Sequence, residues 1–542
     1  MKRITRRAVK RPANARRRTA IALILVALLP ALACNLPVRA LESSGVDEAA
    51  AQTLTARAPS ALGGETTPLP GLPIVTVSGS PAVNPDSVNS ALPAGQVTPF
   101  PIPPSGSRLE GNTFYYITQP GDTRAALALR FGLDISQIPD PRPDQPQALL
   151  AAGQQLALPN TLTDFDSGGR LVPDSEVIYS PASLDFSVED AVRQAGGYLS
   201  GYSEAVDGKT LTGAQIIQRV ANETSINPRL LLAVLEYRSH WVNGAASEVN
   251  RAPYPVGFYA PDYAGLYKEM TLTARQLTLG YYGWRSGKTV TLTFLNHATR
   301  RMNPMLNAGT AALQTLFAVL YDPAGWQAQL YHPASFMAFY NQMMGDPWQR
   351  AASMGPLLPD GLSQPELELP FAPGMSWSFT GGPHEAWGVG SPWGGLDFAP
   401  AAVEKGCTVS RFWATAVSPG LVVRSDDAQV LVDLDGDGHE QTGWVILYLH
   451  VASADRVPVG THLNRDDRIG HPSCEGGVAT GTHVHISRKY NGEWLAADGP
   501  LPFILSGWQA RAGQKPYSGA LIKASQVVTA RPDGASTSLI AR

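Results

Sequence analysis

"GTHVHIS", residues 481–487, places His483 and His485 at alternate positions of an apolar run. Strand side chains alternate between faces, so the two imidazoles point one way and Val484 the other. Working outward, the segments between 373 and 515 are "SWSFT", "CTVSRFWATAV", "GLVVRS", "AQVLVDL", "GWVILYLHVA", "THVHISRKY" and "EWLAA". They are short, β-branched or aromatic, and separated by Gly, Asp and Pro turns, which predicts a mainly-β antiparallel sheet domain over 373–515. Within it "TGGPHEAWG", "GGLDFAP" and "YLHVAS" contribute His384, Asp397 and His450. A catalytic zinc site needs three N or O donors and one open position. His384, Asp397 and His485 suit the donor role, leaving His450 and His483 to handle protons.

His384 and Asp397 lie thirteen residues apart inside "GGPH…LDF", followed by "YLH" and then H-x-H. This order and spacing resemble the β-lytic branch of the lysostaphin-type zinc endopeptidases, which cut peptides in bacterial peptidoglycan. In the compact H-x-x-x-D arrangement of lysostaphin itself, Trp393 would stand at the first ligand. The β-lytic branch instead carries its histidine in a Gly-rich turn thirteen residues ahead of the aspartate, where His384 stands. The resemblance implies a Zn2+ cofactor held by His384, Asp397 and His485, with His450 and His483 as the catalytic pair. It also implies metal-assisted peptide hydrolysis and peptidoglycan as the macromolecular partner. The rival reading is a non-catalytic wall-binding scaffold that recruits or activates another hydrolase. "DLDGDGHE" (433–440) alternates Asp433, Asp435 and Asp437 as a calcium loop does, but the twelfth place, where a bidentate acid belongs, falls on Trp444. A hairpin tip is the expectation there.

The rest of the chain makes the protein multidomain, as its 542 residues require. Residues 175–353 read as helical, with "TGAQIIQRVANETSINPRLLLAVLEYRSHWV" the clearest segment. That region resembles a lysozyme-like lytic transglycosylase domain, whose hallmark is an ES pair acting as the single general acid. Arg238-Ser239 stands in its place, and an arginine cannot donate a catalytic proton near neutral pH. Glu236, two positions earlier, points away from the Arg238 direction. The expectation is an all-α, lysozyme-like shape without its acid; a working transglycosylase is the second alternative function. A proline-bearing linker, 354–372, joins it to the sheet domain.

Residues 111–160 form a short strand, a turn at Gly121, Asp122 and Thr123, a helix and a returning strand. They resemble a LysM-like α+β module, which implies glycan binding at Gly121, Asp122 and Thr123. Residues 34–110 are rich in Pro, Ser, Thr, Ala and Gly and read as a disordered tether. The leader 1–33 joins nine Lys/Arg to an apolar run too short for a comfortable membrane span, which marks a signal peptide. "PALAC" resembles a lipoprotein box with Cys34 as the lipidated residue; simple cleavage and an uncleaved signal anchor are the alternatives. The expected location is the extracellular face of the membrane or cell envelope. Discounting the basic leader makes the formal net charge more negative than −3, which argues against nucleic acid as a partner. With Cys34 lipidated, Cys407 and Cys474 remain as an even pair in an oxidising compartment, and a disulfide between them is expected. The segment 516–542 reads as a loosely held tail.

Overall fold

The computed structural model describes residues 106–139, 148–245, 253–401 and 406–542, all within one compact unit, Ala50–Arg542. The signal peptide, Cys34 and the tether up to residue 105 lie outside the described residues. Among the described residues no helix is long and apolar enough to cross a membrane.

The C-terminal part is built on a nine-stranded antiparallel sheet. Its strands are β1 (Ser376–Glu385), β2 (Trp393–Ala399), β3 (Gly420–Asp426), β4 (Gln429–Asp433), β5 (Trp444–Leu449), β6 (His462–Leu463), β7 (Val484–Tyr490), β8 (Glu493–Trp494) and β9 (Leu539–Ala541). The order is β6-β3-β4-β5-β7-β2-β1-β9, with β8 paired to β7. The apolar run of β5 follows from burial on both faces. Ile446 and Tyr448 enter one core with Val430, Val432, Val484 and Ile486, while Val445 and Leu447 enter a second core shared with the helical region. Such a central strand is expected to be continuously hydrophobic rather than alternating. The acidic stretch 433–440 falls in the connection between β4 and β5, as expected of a hairpin.

In the helical region, helix Pro228–Ser239 starts on Asn227, whose side chain accepts from the Arg229 N–H, and carries proline in its first turn. Leu231, Leu232 and Leu235 are buried. Helices Leu266–Arg285 and Ala308–Leu320 pack with it to form the core that continues into the sheet through Leu431, Val445, Leu447 and Trp494. Polar clamps reinforce this joint: Glu493 accepts from the Tyr281 hydroxyl at 2.9 Å and pairs with Arg285 at 3.0 Å, and the Tyr282 hydroxyl accepts from the Trp494 N–H at 2.9 Å. Burial raises the Glu493 carboxyl above its ordinary range.

The N-terminal module pairs strands Thr113–Ile117 and Gln155–Pro159 antiparallel, with an extra edge strand, Arg108–Glu110, and one helix, Arg124–Phe131. Phe114, Tyr116, Leu127, Phe131, Leu156 and Leu158 fill its core. Residues 140–147, where a second helix would fall, lie outside the described residues.

Four expectations need correction. The turn at Gly121, Asp122 and Thr123, expected to contact glycan, faces the protein interior. Asp122 accepts from the Tyr116 hydroxyl (2.6 Å) and the Gln119 N–H (2.7 Å) and pairs with Arg130 at 2.7 Å. A Cβ at Gly121 would collide with Arg285, and Thr123 is used as the helix cap, accepting from the Ala126 N–H. This turn is a docking surface for the helical region, with Gln119 donating to the Leu306 carbonyl and Arg130 to that of Trp284. The 354–372 linker is packed, because Leu367, Leu369 and Phe371 enter the sheet core. The 516–542 tail is structured: Gly519–Lys523 and Gln526–Thr529 form a hairpin, and β9 pairs with β1. Of "CTVSRFWATAV" only Ala414–Thr415 is strand, because the preceding residues are drawn into loop contacts around the Cys407–Cys474 bridge.

Candidate metal centre

β2 and β7 pair with His485 opposite Asp397, and β5 and β7 with Leu449 opposite His485. Register therefore sets the imidazole and the carboxylate side by side. β1 reaches them through a Gly-Gly-Pro stretch with repeated register shifts, where Gly381 faces Asp397 and His384 faces Gly395. Two glycines make the approach possible. A Cβ at Gly381 would stand 2.1 Å from Asp397 Oδ2, and one at Gly395 would stand 2.1 Å from His485 Cε1.

Three donor atoms converge. His384 Nε2 lies 2.9 Å from His485 Nδ1, His485 Nδ1 lies 3.2 Å from Asp397 Oδ1, and His384 Nε2 lies 3.4 Å from Asp397 Oδ1. The opposite ring nitrogens identify the tautomers. His384 Nδ1 donates to the Gly382 carbonyl at 2.8 Å, and His485 Nε2 donates to the Ala386 carbonyl at 3.1 Å. A carbonyl can only accept, so each hydrogen is on the outer nitrogen and each inner nitrogen presents a lone pair. Two lone pairs and a carboxylate oxygen at these separations repel one another unless a cation lies among them. Burial holds the His384 imidazole down to about 4. Asp397 is held well below the usual carboxylate range; burial opposes that shift, but the facing imidazoles at His384, His483 and His485 outweigh it. Two imidazole nitrogens and one carboxylate oxygen are a donor set that fits zinc with a position to spare.

His450 and His483 flank this group. Their rings are 4.5 Å apart between centroids, and His483 Nε2 stands 3.8 Å from Asp397 Oδ1. His483 and His485 thus address the same carboxylate, as the alternation in "THVHIS" requires. Each donates Nδ1–H to a backbone carbonyl, His450 to Glu475 at 2.9 Å and His483 to Gly481 at 2.8 Å. Each Nε2 is thereby left as the ring's lone-pair nitrogen. Burial pushes His450 down to about 4, and the His483 side chain is 16% exposed, the most accessible imidazole of the four beside Asp397 and the natural point of approach.

The structure brings Cys407 and Cys474 together as a disulfide with Cα atoms 5.5 Å apart. One neighbour was missed in the sequence: the Tyr517 ring stacks on His384 with centroids 4.0 Å apart and planes at 20°. It comes from the segment read as a tail, and no local motif marks it. Among the described residues, the buried acids of the helical region form no such group. Glu236 accepts from the N–H groups of Val242 (2.7 Å) and Asn243 (3.0 Å) just past its helix, and Arg238 donates to the Val256 carbonyl at 2.9 Å.

A buried centre in an antiparallel sheet thus brings together three metal-type donors and two imidazoles held to backbone carbonyls through Nδ1. Residues 170–357 match the family model described as LasA, N-terminal domain. The chain is 26% identical over 297 residues to Protease LasA of Pseudomonas aeruginosa (strain UCBPP-PA14), covering 51% of this chain and 65% of that protein. It is 27% identical over 204 residues to Beta-lytic metalloendopeptidase of Achromobacter lyticus, covering 36% of this chain and 49% of that protein. The chain thus spans just under two thirds of the LasA length and about half of the Achromobacter enzyme's. Among solved structures, the M23 metalloprotease pseudoalterin from the deep sea is 22% identical, with 31% of this chain and 96% of that chain covered and a TM-score of 0.27. Over part of its length the chain is thus similar to proteins described as a LasA protease and as a β-lytic metalloendopeptidase.

Proposed function

We propose that this protein is a zinc endopeptidase that hydrolyses peptide bonds in peptidoglycan cross-links or stem peptides. The observation that carries the reading is the convergence of His384 Nε2, His485 Nδ1 and Asp397 Oδ1 within 3.4 Å, with the outer nitrogens already committed to carbonyls. Zinc held by these three would supply Lewis acidity toward a scissile carbonyl and make water more acidic. The chain's own residues supply the rest. His450 and His483 present Nε2 as proton acceptors, and their Nδ1–H bonds fix the ring planes so that little ordering remains to be done during reaction. Once protonated, the same nitrogens can donate to the departing amine or to a developing oxyanion. Burial keeps His450 neutral at pH 7, which suits it to accept rather than to carry charge.

The leader and "PALAC" support export and attachment through Cys34, and the acidic remainder suits a wall rather than a nucleic-acid partner. The scaffold alternative would have no need of two glycines cleared for the donors. The transglycosylase alternative has no available acid at Arg238 or Glu236. Purified protein with zinc should release free amines from peptidoglycan without new reducing or anhydro sugar ends, and His384→Ala should abolish that release. Amine release that survives His384→Ala contradicts the reading.

A further inference from the structure

The two halves of the site are built differently. His384, Asp397 and His485 are placed by strand register. His450 stands just beyond β5 with a left-handed backbone, φ 64°, and a neighbouring loop supplies the hydrogen bonds that hold it there. The Ser473 N–H and hydroxyl both donate to the His450 carbonyl, at 2.7 and 3.0 Å. The Glu475 carbonyl takes its ring N–H at 2.9 Å, and the Glu475 N–H donates to Ser473 Oγ at 3.0 Å. Cys474 lies between these two supports.

Its partner, Cys407, begins a segment that grips the other catalytic histidine. Thr482, the residue before His483, donates its N–H to the Gly406 carbonyl at 3.1 Å and accepts the Thr408 N–H at 2.9 Å. Ser410 donates to the Pro472 carbonyl at 2.8 Å, and His483 donates its own N–H to the Ser473 carbonyl at 3.4 Å. One covalent bridge therefore ties the support of His450 to the support of His483 and touches none of the three metal-type donors. We infer that the Cys407–Cys474 disulfide is the positioning element of the catalytic pair, so that the hydrolytic rate, and not metal binding, depends on its oxidation state. This rests on the peptidase reading above.

Cys407 is exposed, so a reductant can reach the bridge. With a phosphine, the phosphine gives two electrons and takes the oxygen of one water, whose two protons go to the sulfurs; the Sγ–Sγ bond breaks into two thiols and a phosphine oxide leaves. The loop from 472 to 477 is then held by hydrogen bonds alone, and the Glu475 carbonyl is free to leave the His450 ring. The test measures kcat, KM and zinc content of the zinc-loaded protein when oxidised, after phosphine reduction, and after re-oxidation with glutathione disulfide. The Cys407→Ser/Cys474→Ser double variant is measured alongside, as a form that needs no reductant. We expect kcat to fall about 10- to 100-fold, as for lost supporting hydrogen bonds, with KM unchanged, one zinc retained per chain, and rate restored on re-oxidation. A reduced protein as fast as the oxidised one overturns the inference. So does one that loses zinc together with rate, because the bridge would then support the whole site. An oxidised, zinc-loaded protein that releases no amines overturns the peptidase reading itself, and this inference with it.

Discussion

Among the described residues, two groups of side chains bring metal-type donor atoms within 4.8 Å of one another: His384, Asp397 and His485, and the acidic turn Asp433, Asp435 and Asp437. Proximity does not distinguish them; the availability of lone pairs does. In the first group the carbonyls of Gly382 and Ala386 take the outer N–H groups and leave the inner nitrogens bare. In the second the turn satisfies itself. Asp433 accepts from the N–H groups of Asp435 (3.1 Å) and Gly438 (2.9 Å), and Asp437 accepts from the His439 N–H (2.9 Å) and the Thr442 hydroxyl. Burial and the neighbouring Asp435 raise Asp433 to about 6. Asp122 is a third case on the satisfied side, with a hydroxyl, a backbone N–H and a guanidinium already on its oxygens.

The largest effect should come from removing a bare lone pair. His384→Ala is expected to lower zinc content from one per chain toward none and to slow amine release about 10³-fold, equivalent to about 4 kcal/mol of barrier. Removing a satisfied carboxylate should act on stability instead. Asp122→Ala leaves Arg130 buried without its partner and should cost about 3–5 kcal/mol in denaturant unfolding with zinc stoichiometry unchanged. If Asp122→Ala instead abolishes zinc binding, the distinction between the groups fails.

A pH series sharpens the contrast further. His450 is 4% exposed and holds its proton only below about 4 when folded, against about 6.5 when unfolded. The unfolded chain therefore binds the extra proton between these values. Stability is unaffected by this group above pH 6.5 and falls as pH drops toward 4, by about 3 kcal/mol. Thermal unfolding should show this slope, to which the equally lowered His384 adds, and His450→Asn should reduce it. A smaller effect is expected at Tyr517: replacing the stacked ring by alanine should weaken zinc about tenfold by loosening His384, read by competition with a chelator. The smallest belongs to the acidic turn, where calcium or its chelation should leave the melting temperature unchanged. A clear rise with calcium would make that turn a second cation site.

Much of the centre was legible because strand periodicity is local. "THVHIS" fixes which histidines share a face, and "GGPH…LDF" carries the glycines that let β1 approach β2. The disulfide was legible from an even cysteine pair in an exported chain. Tyr517 was not, because its contact with His384 is made across a sequence separation of 133 by a segment whose composition resembles a loop. The Gly121–Thr123 turn misled for the opposite reason. Its residues suit a glycan-binding turn in isolation, and only the packing of Arg285 and Leu306 against it turns them inward. Helix existence in the 175–353 region followed from periodicity, whereas the likeness to a lysozyme rested on setting Arg238-Ser239 against an ES pair, a signal only two residues long.

The central claim is that three named atoms hold one zinc ion with a position left for solvent. Zinc-edge X-ray absorption on the purified protein tests it most directly. The account predicts one zinc per chain, a shell of nitrogen and oxygen at about 2.0–2.1 Å, and outer scattering from two imidazoles that drops to one in His485→Ala. A protein that binds no zinc, or binds it through a shell without imidazole, would contradict it.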